Sequence, residues 1–189
     1  MRRDLPFIVF FTAMMVETIG VLDSGVWINF VAMALFATLL AQAWNLLGGF
    51  GGQFSFGHAL FFGCGAYTQA ILQLSGGIGA WPALALSVTV AAAVGAAVGA
   101  LSFRYGLKGS YFALVTLAFA EVFRIGALSV PFTGGGVGLM VPLRESVANL
   151  QFGSRQGYIA LIGGFVVAAL VVTAWLRHSR FGARLQAVR

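Results

Sequence analysis

GGFGGQFSFGHALFFGCGAY, residues Gly48 to Tyr67, is the stretch on which the reading of this chain turns. It holds seven glycines, sets Gln53, Ser55 and His58 among aromatic and aliphatic residues, and lies between two long apolar runs. Glycine weakens a helix, and polar groups are costly in hydrocarbon. Such a stretch is tolerated at membrane depth only where protein or a water-filled cavity surrounds it. It therefore reads as a broken or re-entrant segment that lines or closes a path through a membrane. Gln53, Ser55, Gly57, His58 and Tyr67 are its candidate path-lining residues.

Working outward, composition sets the class. The chain has 189 residues, 60% of them hydrophobic and 8% charged. A soluble domain carries roughly 25% charged residues, so this chain lacks the charge to cover a water-facing surface. It reads as an all-α integral membrane protein, a polytopic helical bundle of about six spans. Residues 1–189 form a single transmembrane domain on this reading, since no long hydrophilic stretch separates a soluble one. A net charge of +6 would suit a nucleic-acid binder. However, the basic residues cluster at the ends of apolar runs and not along one polar face, so nucleic acid is excluded. Cys64 is the sole cysteine, which excludes an intrachain disulfide and a thiolate metal cluster.

The first run, Met1 to Leu22, has a basic start and an apolar core interrupted by Glu17. It reads either as a retained span or as a signal peptide, and both put Asp23 to Gly25 outside. Trp27 to Leu47 is long enough to cross hydrocarbon. Ala59 to Leu74 is short for a crossing unless part of 48–58 dips into the membrane. Ala83 to Phe103 follows Trp81-Pro82 and carries Gly95 and Gly99, a G-x-x-x-G spacing that predicts close helix packing. Gly109 to Val130 carries Glu121 and Arg124, which share a helix face at i,i+3. An ion pair inside a span either anchors the helix or is coupled to transport. Pro131 to Gln156 is an outer loop, its Gly-rich part at Thr133 to Leu139 predicted to be flexible. Gly157 to Leu176 is the last span.

With the N-terminus inside, Arg2, Arg3, Arg104, Lys108, Arg177, Arg180, Arg184 and Arg189 face the cytoplasm, while only Arg144 and Arg155 lie in an outer loop. This is the asymmetry of the positive-inside rule. Trp27, Trp44, Trp81 and Trp175 fall near predicted span ends, where interfacial aromatics belong.

Catalytic machinery is not legible. Lys108 is the only lysine and its GLKGS setting is no phosphate loop. His58 and His178 lack a second ligand at metal-binding spacing. No catalytic residue, metal or cofactor is expected, and energy for uphill transport has to come from a partner.

Several blocks carry a family resemblance: WNLLGGFGGQFSFGHALFFGCGAY, Trp81, GSYFALVTLAFAEVFR, TGGGVGL and SRFGARLQAVR, in that order. Together they resemble the membrane permease subunit, M-type, of bacterial branched-chain amino-acid ABC importers. The resemblance implies a multi-pass protein of the bacterial inner membrane. It implies four kinds of partner: a second related permease subunit, cytoplasmic ATPase subunits, a periplasmic substrate-binding protein and the lipid bilayer. It implies that Arg180, Gly182, Arg184 and Arg189 begin the segment that contacts an ATPase. Family members are longer, so further spans are expected after Arg189. Urea or short amides are an alternative solute class among similar permeases. A stand-alone channel or secondary carrier, needing no ATPase, is the alternative mechanism.

Overall fold

The computed structural model describes residues 4–21 and 24–187. Arg2, Arg3, Asp23 and Arg189 lie outside the described residues. The helices are α1 (Leu5–Val21), α2 (Gly25–Asn45), α3 (His58–Leu74), α4 (Ala80–Arg104), α5 (Gly109–Ser129), α6 (Arg155–His178) and the short α7 (Arg180–Ala187). The described residues contain no β-strand, only an isolated bridge between Ser146 and Gln151. The chain is an all-α membrane protein. Among the described residues, four helices are long and apolar enough to cross a membrane: α2 with the turn that extends it to Phe50, α4, α5 and α6. Helices α1 and α3 have 17 residues each, about 26 Å at helical rise, which is short of a hydrocarbon core of about 30 Å.

The chain divides into two compact units, one of residues 1–52 and 152–189 and the other of residues 53–151. In the first, α2 lies along α6. Ile28 and Leu35, seven residues apart, are buried with Ile159 and Val166, also seven apart, and Val31, Leu39, Ile162 and Leu170 pack around them. A seven-residue repeat keeps one apolar seam facing its partner. Polar contacts fix the direction. Arg155 Nη1 donates to the Gly25 carbonyl at the start of both helices (3.2 Å), and Thr173 Oγ1 reaches Gln42 Oε1 (3.5 Å) near their ends. The two helices are therefore parallel. Helix α1 runs the other way along α6: Met15 lies over Gly163, while Asp4 meets Arg177 at 3.3 Å and His178 Nε2 at 2.6 Å. The hydrogen bond with His178, aided by the Arg177 charge, holds the Asp4 carboxyl below the usual carboxylate range.

In the second unit α3 and α4 form an antiparallel hairpin whose register is written in side-chain size. Phe61, Gly65 and Gln69 recur every four residues on α3, and Ser87, Ala91 and Gly95 do so on α4. A Cβ placed on Gly95 would lie 3.7 Å from the Phe61 ring, and one on Gly65 would lie 3.8 Å from both Ala91 Cβ and the Ser87 carbonyl. Gln69 closes the row, donating to the Ala80 carbonyl at 3.0 Å and accepting from Ser87 Oγ at 3.2 Å. Small residues let membrane helices approach closely. The G-x-x-x-G expectation needs correction at one position: Gly99 faces Phe103 of its own helix, because the contact stripe runs back through Ala91 and Ser87.

The 131–151 segment is braced rather than loose. Gly134, Gly135 and Gly138 take positive φ. Thr133 Oγ1 donates to the Ala127 and Val130 carbonyls (2.5 and 2.7 Å), Gln151 Nε2 to Pro142 O (3.1 Å), and Trp81 Nε1 to Val147 O (3.0 Å). The expectation of a flexible loop gives way to a compact one because side chains of the segment and of α4 tie its backbone to itself and to its neighbours.

The hairpin register yields a test. Gly65→Ala leaves ordinary van der Waals contact and should be tolerated. Gly65→Leu overpacks the seam and should cost about 1–3 kcal/mol, read as a lowered thermal midpoint of the purified protein in detergent.

Candidate functional site

The Gly-rich stretch breaks the helical path in two steps. Helix α2 widens into a π-turn at Leu46–Phe50, where the Trp44 ring lies over Gly48 and the Asn45 side chain over Gly49. Residues Gly52–Ser55 are then non-helical, and α3 begins at His58. This is the broken segment read from the sequence.

The break is docked on α5 at Thr116, itself 1% exposed. Thr116 Oγ1 accepts from the Phe56 backbone N–H at 3.2 Å and donates to the Ala113 carbonyl at 2.9 Å. Gly57 lies directly on the same turn: a Cβ there would sit 2.7 Å from the Thr116 carbonyl oxygen. Only glycine allows that approach. Ser55, 2% exposed, turns its Oγ back to accept from Gly57 N–H at 3.2 Å. His58 Nδ1 lies 3.3 Å from the Ser55 carbonyl, and its ring meets Phe61 edge-on. Ser55, Gly57 and His58 therefore form one turn that starts α3 and seats it on α5.

Beside this turn α3 and α5 enclose a half-open cavity of about 780 Å³. Phe56, Leu60, Cys64 and Tyr67 line it from the α3 side, and Leu117 and Leu128 from α5. Glu121 and Arg124 are on its wall. Arg124 Nε donates to Glu121 Oε2 at 2.9 Å and Nη2 to Oε1 at 2.5 Å. The pair is bidentate yet open: the Arg124 and Glu121 side chains are 60% and 52% exposed.

Of the path candidates, the structure puts Tyr67 on the cavity, together with Glu121 and Arg124. Ser55, Gly57 and His58 are not among the residues that line it; they form the turn at its end. Gln53 is also off the cavity, and its Oε1 is buried with no hydrogen-bond partner among the described residues. Phe56, Leu60 and Cys64 were missed by sequence reasoning. Their spacing of four, four and then three to Tyr67 is a helix-face signal, but an apolar stripe in a membrane helix does not distinguish cavity from lipid.

At the other end of the chain, Arg180, Gly182 and Arg184 fall on α7. Ser179 makes the elbow between α6 and α7: its Oγ donates to the Leu176 carbonyl at 2.9 Å and accepts from Gly182 N–H at 3.0 Å. Gly182 is buried against that same carbonyl, where a Cβ would come within 1.9 Å of the oxygen. Arg180 and Arg184 are exposed and, four residues apart, share a face.

Residues 26–189 match the family model described as "Branched-chain amino acid transport system / permease component". The chain is 33% identical over 133 residues to the high-affinity branched-chain amino acid transport system permease protein LivM of Salmonella typhimurium, and 32% identical over 133 residues to the LivM of Escherichia coli K12. Each alignment takes in 69% of this chain and 31% of the relative, so the chain spans about a third of the length of these relatives. No solved structure matches it significantly.

Two substitutions probe the docked turn. Gly57→Ala pushes a methyl into backbone that cannot yield, and should destabilise the protein by about 1–3 kcal/mol. Thr116→Val strands the Phe56 N–H and should cost about 1–3 kcal/mol. Hydrogen exchange at Phe56 and Gly57 should rise in both variants, with α1 and α6 unchanged.

Proposed function

Because the chain belongs to the permease-component family of branched-chain amino acid transport systems, we propose that it is a solute-translocating part of an ATP-driven importer of branched-chain or related amino acids in the bacterial inner membrane. The observation that carries this reading is the family match over residues 26–189, the same span that holds the membrane-length helices. The partners proposed are a second related permease subunit, cytoplasmic ATPases and a periplasmic substrate-binding protein, with lipid around the apolar helix faces. The chain acts as one permease domain and not as an enzyme; ATP is hydrolysed by the partner.

Orientation follows from charge. With α7 on the cytoplasmic side, Arg104, Lys108, Arg177, Arg180 and Arg184 share that side. The directions of α1, α2 and α6 within their unit support this arrangement, since a first span should oppose a sixth and a second should parallel it. The braced 131–151 segment then faces the periplasm, where Val137, Met140 and Leu143 are exposed and offer a surface for the binding protein.

Coupling runs through the α6–α7 elbow. Gly182 and Ser179 lock α7 to the end of α6, so a push on the exposed Arg180–Arg184 face is transmitted to a membrane-crossing helix. Closure of the ATPases moves α7, and the helices re-open to the other side in alternating access.

The test uses the full chain co-expressed with the proposed second permease subunit, ATPases and binding protein. Arg180→Glu/Arg184→Glu brings like charge to an acidic partner surface. Since like-charge juxtaposition costs several kcal/mol, ATP-dependent leucine uptake should fall at least about tenfold while membrane insertion is unchanged. Gly182→Ala should uncouple transport similarly with both arginines present. Uptake that persists without ATP would overturn the reading in favour of a channel or secondary carrier.

A further inference from the structure

The cavity between α3 and α5 combines two features that need a common explanation. Its wall is apolar, lined by Phe56, Leu60 and Leu117 among others, yet it carries one carboxylate and one guanidinium three residues apart. A structural ion pair in a membrane helix is expected to be packed, because ionisable groups there face the protein interior or a water-filled cavity. Glu121 and Arg124 instead stand with about half of each side chain exposed on the cavity wall. Arg124 lies five residues before the end of α5, about 8 Å of helix, which puts Arg124 within about two turns and Glu121 within about three turns of the 131–151 segment.

We infer that this cavity is a binding site for a zwitterionic α-amino acid with an apolar side chain, whose carboxylate is taken by Arg124, ammonium by Glu121 and side chain by the wall of Phe56, Leu60 and Leu117. The inference rests on the permease reading above and adds the site and the recognition chemistry. The two charges have the right signs and are adjacent, as they are in the ligand. Recognition does not require the pair to separate. The bidentate contact uses two of the five guanidinium N–H donors, and each carboxylate oxygen retains a second lone pair. The remaining donors and acceptors are available to a ligand carrying both charges, which would close a four-charge ring of alternating sign. A ligand with only a carboxylate or only an ammonium leaves one member of the ring unmatched. The volume of about 780 Å³ is within the range of small-molecule sites. The cavity has spare room at two glycines on its wall, Gly63 and Gly126, where an added Cβ meets nothing within 4 Å.

The test is equilibrium binding of radiolabelled leucine to the purified full chain in lipid nanodiscs, without the binding protein. The expected result is saturable binding, displaced by isoleucine and valine. 4-Methylpentanoate and 3-methylbutylamine, which are leucine without its ammonium and without its carboxylate, should compete at least about tenfold less well, as expected for loss of a charge-assisted hydrogen bond. Glu121→Gln and Arg124→Gln should each weaken leucine binding about tenfold or more. Gly63→Leu projects an apolar side chain into the cavity and replaces glycine by a better helix former, so it should weaken binding at least about tenfold while leaving thermal stability equal or higher. Absence of leucine binding by the unmodified chain overturns the inference. So does equal competition by the single-charge analogues, unchanged binding in Gly63→Leu, or loss of binding in the charge variants that merely tracks unfolding. None of these results bears on ATP-dependent uptake by the assembled transporter, which decides the permease reading separately.

Discussion

The contact on which the second unit depends is that of Gly57 with the backbone of Thr116. A helix cannot be interrupted inside a membrane unless the freed backbone groups find partners. Here the interruption is repaired by one threonine and one serine. Thr116 takes the Phe56 N–H, Ser55 takes the Gly57 N–H, and the missing Gly57 side chain lets the turn settle onto α5. That contact brings the start of α3 against α5. Beyond it the two helices leave the cavity between them, so the break and the cavity are two consequences of one close approach.

The same rule governs the other polar side chains. Thr38, Thr68, Thr89, Ser102 and Ser129 each return their hydroxyl to the carbonyl four residues earlier. Such back-bonding keeps a polar group inside an apolar helix at little cost. Against this background the polar groups that do reach across helices carry information. Gln69 with Ser87 sets the α3–α4 register, and Thr173 with Gln42 joins α2 to α6. Glu121 and Arg124 do neither, for they pair with each other on the cavity wall.

The α6–α7 elbow in one unit and the 131–151 segment in the other are each held by side-chain hydrogen bonds. At α7 a serine and a buried glycine lock a short helix to a long one. The 131–151 segment is braced by its own Gln151, by Thr133 bonded to the end of α5 and by Trp81 of α4, and apolar side chains such as Val137 and Met140 are left exposed.

Class and helix content were legible in the amino-acid sequence, because they follow from sums over many residues. An apolar majority, basic residues at span ends and tryptophans at the same places do not depend on how helices meet. The break after α2 was legible as well, since seven glycines in twenty residues cannot continue a membrane helix unaided. What only the tertiary structure decided was the role of each residue in that break. Ser55, Gly57 and His58 form a turn, while Tyr67 joins Glu121 and Arg124 on a cavity, because the Thr116 side chain and backbone that seat the turn at Phe56 and Gly57 come from α5, some 60 residues away. The G-x-x-x-G spacing likewise marked α4 as a close-packing helix but left open which of its small residues meets a neighbour. A helix has several faces of small residues, and only the packed partner selects one.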